Sequence, residues 1–259
     1  MTEISSLFDL TGKTALVTGA SRGLGRAMSL ALARAGCDVA LNARSVEPLE
    51  AVSREIRALG RKSLVVPADV SDEQKVKAVV EMTQKTFGRI DVLINNAGIW
   101  KAGYLVRLTS EDWQEVLRVN LTGVFLMAKA VAKVMLKQRS GKIINLSSIQ
   151  AFRGTPQSMA YAAAKAAVIQ MTRVSAIELG PAGIQVNAIA PGFFATDMTN
   201  LYQEDKEKKE ILENYVARIP LRRHGLPEDL EGTAVFLASR ASDHITGQVI
   251  VVDGGESLV

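Results

Sequence analysis

Ser148, Tyr161 and Lys165 fall within the single stretch SIQAFRGTPQSMAYAAAK, with thirteen positions from the serine to the tyrosine and four from the tyrosine to the lysine. A helix starting near Ser158 sets Tyr161 and Lys165 on one face, one turn apart. The chemistry this suggests is proton transfer. A phenol with its ordinary pKa of about 10 is a poor acid or base at neutral pH, whereas a neighbouring cation favours the phenolate and lowers that pKa. Ser148, at the end of the apolar run KIINLS, can donate a hydrogen bond to a substrate oxygen.

A YxxxK spacing also occurs on ordinary amphipathic helices, so its meaning depends on what surrounds it. The first apolar run, KTALVT, leads into TGASRGLG, which places Gly19, Gly23 and Gly25 between a strand and the helix RAMSLALARAG. Glycines at such a turn let a backbone approach a pyrophosphate, and the helix N-terminus supplies free N–H donors; the spacing GxxxGxG differs from the common GxGxxG. Ser21, Arg22 and Leu24 belong to the same loop. An enzyme specific for NAD carries an acidic residue about twenty positions further on, at the end of the second strand. Here that strand ends Asn42-Ala43-Arg44, while Asp38 stands at its beginning, the wrong end of the sheet. Arg22 and Arg44 can converge on a 2′-phosphate, so NADP(H) is the expected cofactor, with NAD(H) a possible second.

Seven apolar runs, KTALVT, DVALNA, KSLVVP, DVLIN, KIINLS, IQVNAIA and QVIVV, alternate with helical patterns. Buried strands joined by helix-length crossovers predict an α/β fold: a doubly wound parallel Rossmann-type sheet of about seven strands, with helices on both faces. No linker or repeat interrupts the rhythm, so residues 1–259 are expected to form one domain. Its one irregular stretch, near 192–226, holds the charged run QEDKEKKEILENYVARI after the sixth strand, where insertions commonly cover a ligand.

With 47% hydrophobic and 22% charged residues the composition is that of a globular chain. No uninterrupted apolar run reaches the 18 or so residues of a membrane span, and MTEISSLFDLTGK lacks a secretory pattern, so a soluble, cytoplasmic protein with no membrane partner is expected. One cysteine, Cys37, and two histidines, His224 and His244, leave no disulfide framework and no clustered metal site. The basic residues behind the net charge of +4 are interleaved with acidic ones, as in QEDKEKKE, which argues against nucleic acid. A serine hydrolase is disfavoured because no GxSxG elbow surrounds Ser148.

TGASRGLG, Asp69-Val70, NNAG at Asn95 to Gly98, Asn120, Ser148, YAAAK, Pro191-Gly192 and VDGG, in this order over nearly the whole chain, resemble the short-chain dehydrogenase/reductase family. The resemblance implies Tyr161 as general acid/base, Ser148 as carbonyl polariser, Lys165 as the group that tunes Tyr161 and holds the ribose, and Asn120 as support for a proton-relay water. It further implies adenine contacts by Asp69 and Val70, strand-end packing by Asn95, Asn96, Ala97 and Gly98, and carboxamide contacts near Pro191, Gly192 and Thr196. A homotetramer is implied too, and the apolar helices GVFLMAKAVAKVM and AAVIQMTRVSAIEL offer surface for self-association.

LFDLTGKTALVTGASRGLG and IPLRRHGLPEDLEGTAVFLAS resemble the gluconate 5-dehydrogenase-like group of this family, which acts on sugar acids; 3-oxoacyl-[acyl carrier protein] reductases, which share YAAAK, are the alternative. Lys101 and Arg153, cations close in sequence to the site, are candidates to bind a substrate carboxylate, together with Ser148 and Tyr161 at the reacting carbonyl. A cofactor-binding sensor without turnover is the non-enzymatic alternative; loss of the tyrosine or lysine would be its mark, and both are present.

Overall fold

The computed structural model describes residues 3–196 and 206–259. Seven parallel strands form one sheet in the order β3-β2-β1-β4-β5-β6-β7: β1 Thr14–Thr18, β2 Asp38–Ala43, β3 Ser63–Pro67, β4 Val92–Asn95, β5 Gly141–Leu146, β6 Ile184–Pro191 and β7 Val249–Val252. Helices α1 Gly23–Arg34, α2 Val46–Ala58, α3 Glu73–Phe87, α4 Ser110–Leu117, α5 Gly123–Gln138, α6 Met159–Leu179, α7 Lys206–Val216 and α8 Glu231–Ala238 accompany it. All five β1 residues and all four β4 residues are buried, because both faces of the sheet are covered.

Alternate residues of β1 enter two separate cores. Ala15 and Val17 pack with Met28 and Leu32 of α1, Leu49 and Ile56 of α2 and Leu237 of α8. Leu16 packs on the other face with Val76 and Val79 of α3 and Met127, Val131 and Met135 of α5. This division is the period-two pleat expressed in three dimensions. Chain order reverses at β1, which pairs with β2 on one side and β4 on the other. The crevice beyond the carboxyl ends of β1 and β4 is therefore the topological switch point, where such sheets bind ligands.

Local signals set the element ends. Asp72 caps α3 by accepting from the backbone N–H groups of Gln74 and Lys75, and that helix stops at Gly88 with φ of +79°. Thr109 caps α4 by accepting from Asp112 N. α4 and α5 are joined without a break by a π turn, Arg118–Thr122, so Ser110–Gln138 is one helix of 29 residues. It contains an 18-residue window of mean hydropathy 1.5, long and apolar enough for a membrane span, which corrects the expectation that no segment reaches that length. Lysines break up the apolar run in the sequence but do not lower the window's average enough. Of the window, 39% is buried in the fold, where Met127, Val131 and Met135 fill the second core.

Of the insertion near 192–226, residues 192–196 and 206–226 are described, and 197–205 lie outside the described residues. The charged run forms α7, Lys206–Val216.

Candidate active site

Beyond β1, Gly19 and Gly23 adopt φ of +63° and +52°, the left-handed region open to glycine. A Cβ on Gly19 would stand 2.7 Å from Asn96 Nδ2, and one on Gly25 only 2.2 Å from the Gly19 carbonyl oxygen. Gly25 thus serves close packing of α1 against the loop, and it does not line the cleft that Gly19, Ser21, Arg22, Gly23 and Leu24 line. The loop is stitched to the end of β4. Thr18 Oγ1 accepts from Asn96 N and Ala97 N, each at 3.0 Å, while Asn96 Nδ2 donates to the carbonyls of Thr18 at 3.0 Å and Gly19 at 3.1 Å. α1 begins at Gly23 with no side-chain cap from Arg22, so its first turn offers backbone donors to an anion.

The carboxyl ends of β2 and β3 bring Arg44, Asp69 and Val70 to the cleft, the end of β4 brings Asn96, Ala97 and Gly98, and the ends of β5 and β6 together with α6 bring Ser148, Tyr161, Lys165, Pro191, Gly192 and Thr196. Its volume, about 900 Å³, is ample for a dinucleotide with a small substrate. Burial works against the Asp69 charge, but hydrogen bonds from Ser71, with Arg118 and Arg44 nearby, hold the carboxyl below its usual range. Asp38 opens β2 at the opposite edge of the sheet and accepts from Lys62 N at 2.8 Å. The glycine cradle, the uncapped helix start and the cleft's length fit a nicotinamide dinucleotide.

α6 starts at Met159, directly after Ser158, so Tyr161 and Lys165 stand one turn apart as their spacing predicts. Lys165 is 3% exposed; its Nζ donates to the Leu146 carbonyl at 2.7 Å and lies 5.5 Å from the centre of the Tyr161 ring. Burial lowers the lysine to about 8. Burial also raises the Tyr161 phenol above its ordinary value, with a hydrogen bond from Ser148 pulling the other way. This reverses the expected direction: loss of hydration at the phenol is the largest influence on it, and the cation one turn away does not offset it. Ser148 closes the group, its Oγ accepting from Gln150 N at 3.2 Å at the head of a short 3₁₀ turn.

Asn120 sits within the π turn, fully buried and outside the cleft lining. Its side chain locks onto Ile99, accepting from the backbone N and donating to the carbonyl, both at 2.8 Å. The amide thus ties the helix to the segment after NNAG. π turns recur at functional sites because the inserted residue disturbs the regular pairing of main-chain carbonyls.

The two proposed carboxylate-binding cations are both engaged elsewhere. Lys101 Nζ is clamped by Asp112 at 2.6 Å and Glu115 at 2.5 Å and does not line the cleft. Arg153 does line it, but its guanidinium pairs with Glu256 at 2.6 Å. Sequence reasoning missed Glu256, Tyr215 and Trp100, all cleft residues. Trp100 follows NNAG closely enough to have been suspected, and its Nε1 donates to Ser158 Oγ at 3.2 Å. Tyr215 and Glu256 gave no local signal, since their partners lie 62 and 103 positions away.

An α/β fold with a glycine-rich loop at its switch point and a half-buried phenol, a buried hydroxyl and a buried amine in one cleft defines an oxidoreductase scaffold. Residues 19–257 match the family described as Enoyl-(Acyl carrier protein) reductase. The chain is 49% identical over 248 residues to a 3-oxoacyl-[acyl-carrier-protein] reductase of Synechocystis sp., covering 95% of this chain and 97% of that protein. It is 44% identical over 254 residues to a 2-dehydro-3-deoxy-D-gluconate 5-dehydrogenase of Dickeya dadantii, covering 97% and 98%. A gluconate 5-dehydrogenase of Burkholderia cenocepacia, solved in complex with NADP and tartrate, superposes with a TM-score of 0.93 at 36% identity, covering 99% and 100%. The chain belongs to the short-chain dehydrogenase/reductase family and is an NAD(P)-dependent oxidoreductase acting on CH–OH groups.

Proposed function

We propose that this enzyme is an NADPH-preferring dehydrogenase/reductase that interconverts a ketone and a secondary alcohol on a sugar acid of the gluconate/5-ketogluconate type. The observation that carries this reading is the polar substrate end of the cleft, where Arg153, Tyr215 and Glu256 form a hydrogen-bonded charged cluster. Seating an acyl chain there would strip water from charged groups without replacing their hydrogen bonds, whereas hydroxyl groups both donate and accept.

The nicotinamide supplies the hydride when bound. Tyr161 gives its phenolic proton to the carbonyl oxygen in reduction and takes it back in oxidation, while Ser148 donates a hydrogen bond to the same oxygen. Lys165, one turn along α6, faces the ribose and supports the charge that develops on Tyr161. Asn120 fixes the π turn beside the site and thereby the main-chain carbonyls that support a relay water. When the cofactor is bound, Arg22 and Arg44 would hold its 2′-phosphate, Asp69 and Val70 its adenine, and Pro191, Gly192 and Thr196 its carboxamide. The exposed apolar side chains Phe125 on α5 and Val174 and Ile177 on α6 support assembly as a homo-oligomer, a tetramer by the family resemblance.

The 49% identity to a 3-oxoacyl-[acyl-carrier-protein] reductase favours a second reading, reduction of a 3-oxoacyl thioester. An NADPH-oxidation screen against 5-ketogluconate, 2-ketogluconate, neutral sugar ketones and a 3-oxoacyl thioester separates the two. Turnover of the thioester alone overturns the sugar-acid reading.

A further inference from the structure

Glu256 lies in the turn after β7 and is only 3% exposed, yet its carboxylate faces the cleft. Oε1 accepts from Arg153 Nη2 at 2.6 Å and from the Tyr215 hydroxyl, and Oε2 accepts from Phe193 N at 2.7 Å. The Glu256 carbonyl takes a further bond from Arg153 Nη1 at 2.8 Å, and Arg153 Nη2 also reaches the Tyr215 oxygen at 3.1 Å. The Phe193 ring meets Tyr215 edge-on with centroids 5.3 Å apart. A Cβ on Gly192 would stand 2.7 Å from Glu256 Oε2, so the segment after β6 is pressed onto this carboxylate. One buried side chain thus joins the loop after β5, the segment after β6, α7 and the C-terminal turn. Asp253, the nearest other acid, turns away to accept from Gly255 N at 2.9 Å and Ser257 N at 2.7 Å and does not line the cleft.

We propose that Glu256 is a specificity-determining positioning residue: it cancels the Arg153 charge and holds Arg153 and Tyr215 as a neutral, hydrogen-bonding wall that receives the hydroxyl groups of a polyhydroxylated ketone. This rests on the reading that the substrate is a sugar acid, with its hydroxyl groups and not its carboxylate set against this wall. A free arginine at that place would select for anions; a paired one presents donors without net charge, and a substrate carboxylate gains little from it. Tyr215 is 36% exposed, but desolvation of its hydroxyl and the Glu256 carboxylate beside it push the phenol up, so it remains a neutral partner throughout the working pH range.

The test varies charge alone. Glu256→Gln keeps the shape and releases the Arg153 charge, so the ratio of kcat/KM for an anionic ketone to that for a neutral one should rise on the order of tenfold, the scale of one charge-assisted contact. The ratio is read on 5-ketogluconate against sorbose and on acetoacetate against ethyl acetoacetate. Arg153→Gln combined with Glu256→Gln removes both charges and should return the ratio towards the wild-type value, which damage to the fold would not do. Glu256→Asp, which keeps the charge, should leave the ratio near wild type. An unchanged ratio in Glu256→Gln, or a double variant no closer to wild type, overturns the proposal. Turnover confined to the acetoacetate pair removes the sugar-acid reading yet still decides the role of Glu256. Activity on neither pair counts against both.

Discussion

The two ends of the cleft are built on opposite principles. At the cofactor end the loop after β1 and the strand end of β4 are locked by close backbone approach: Gly19 and Gly25 leave no room for a Cβ, and four hydrogen bonds tie Thr18 and Gly19 to Asn96 and Ala97. At the substrate end, the Arg153 and Tyr215 side chains and the Phe193 main-chain N–H, from three distant segments, converge on one buried carboxylate, Glu256. The first arrangement constrains residue type at fixed spacing and suits a ligand with an invariant pyrophosphate. The second depends on tertiary convergence and can change through one side chain while the scaffold stays. A fold shared by enzymes with different substrates requires that separation.

The largest expected effect probes the chemistry between the two ends. Tyr161→Phe removes the transferable proton and should lower kcat about 10²- to 10⁴-fold in a steady-state assay, with NADPH affinity by fluorescence titration near that of wild type. Retention of full turnover would show that the proton comes from another group.

Lys165 tests whether the site carries a desolvation cost. Because burial lowers its pKa from 10.5 to about 8, the folded chain below pH 8 keeps a buried charge at a loss. Between about 8 and 10.5 the unfolded chain binds a proton that the folded chain does not, so this residue's contribution to stability rises with pH across that window. The full change is on the order of 3 kcal/mol. Lys165→Met should therefore lose turnover yet flatten the denaturation midpoint across that window. A wild-type midpoint already flat from pH 8 to 10.5 would mean that the amine is solvated.

The contrast also explains what could be read from the sequence. Seven apolar runs became seven strands, and the order of motifs along the chain carried the switch point, because backbone pairing and glycine packing are local demands. The direction of the Tyr161 shift was misjudged because spacing along a helix reveals the nearest cation but not the surrounding dryness. Arg153 was recognised as a cleft residue, but its partner was invisible: nothing near Glu256 in VDGGESLV signals a contact 103 positions back.

At the far cofactor end, Arg44→Asp would remove the proposed 2′-phosphate partner and set a carboxylate near where a ribose 2′-hydroxyl would lie. The kcat/KM ratio for NADPH over NADH should fall roughly ten- to a hundredfold, the range of a lost charge-assisted contact together with a gained repulsion. An unchanged ratio would place the phosphate elsewhere.

Lys101 should give the smallest effect, and it sharpens the comparison from the other side. Close to NNAG in sequence, it is held by Asp112 and Glu115 on α4, both half-exposed, and stays outside the cleft. Exposed ion pairs of this kind contribute little to stability, and this one lies outside the cleft. Lys101→Met should then alter KM for a keto acid and for a neutral ketone by less than about twofold, and to the same extent. A selective rise for the keto acid would mean that the ammonium leaves its two carboxylates to reach the substrate. Sequence proximity would then have identified a contact that the folded geometry assigns to the surface.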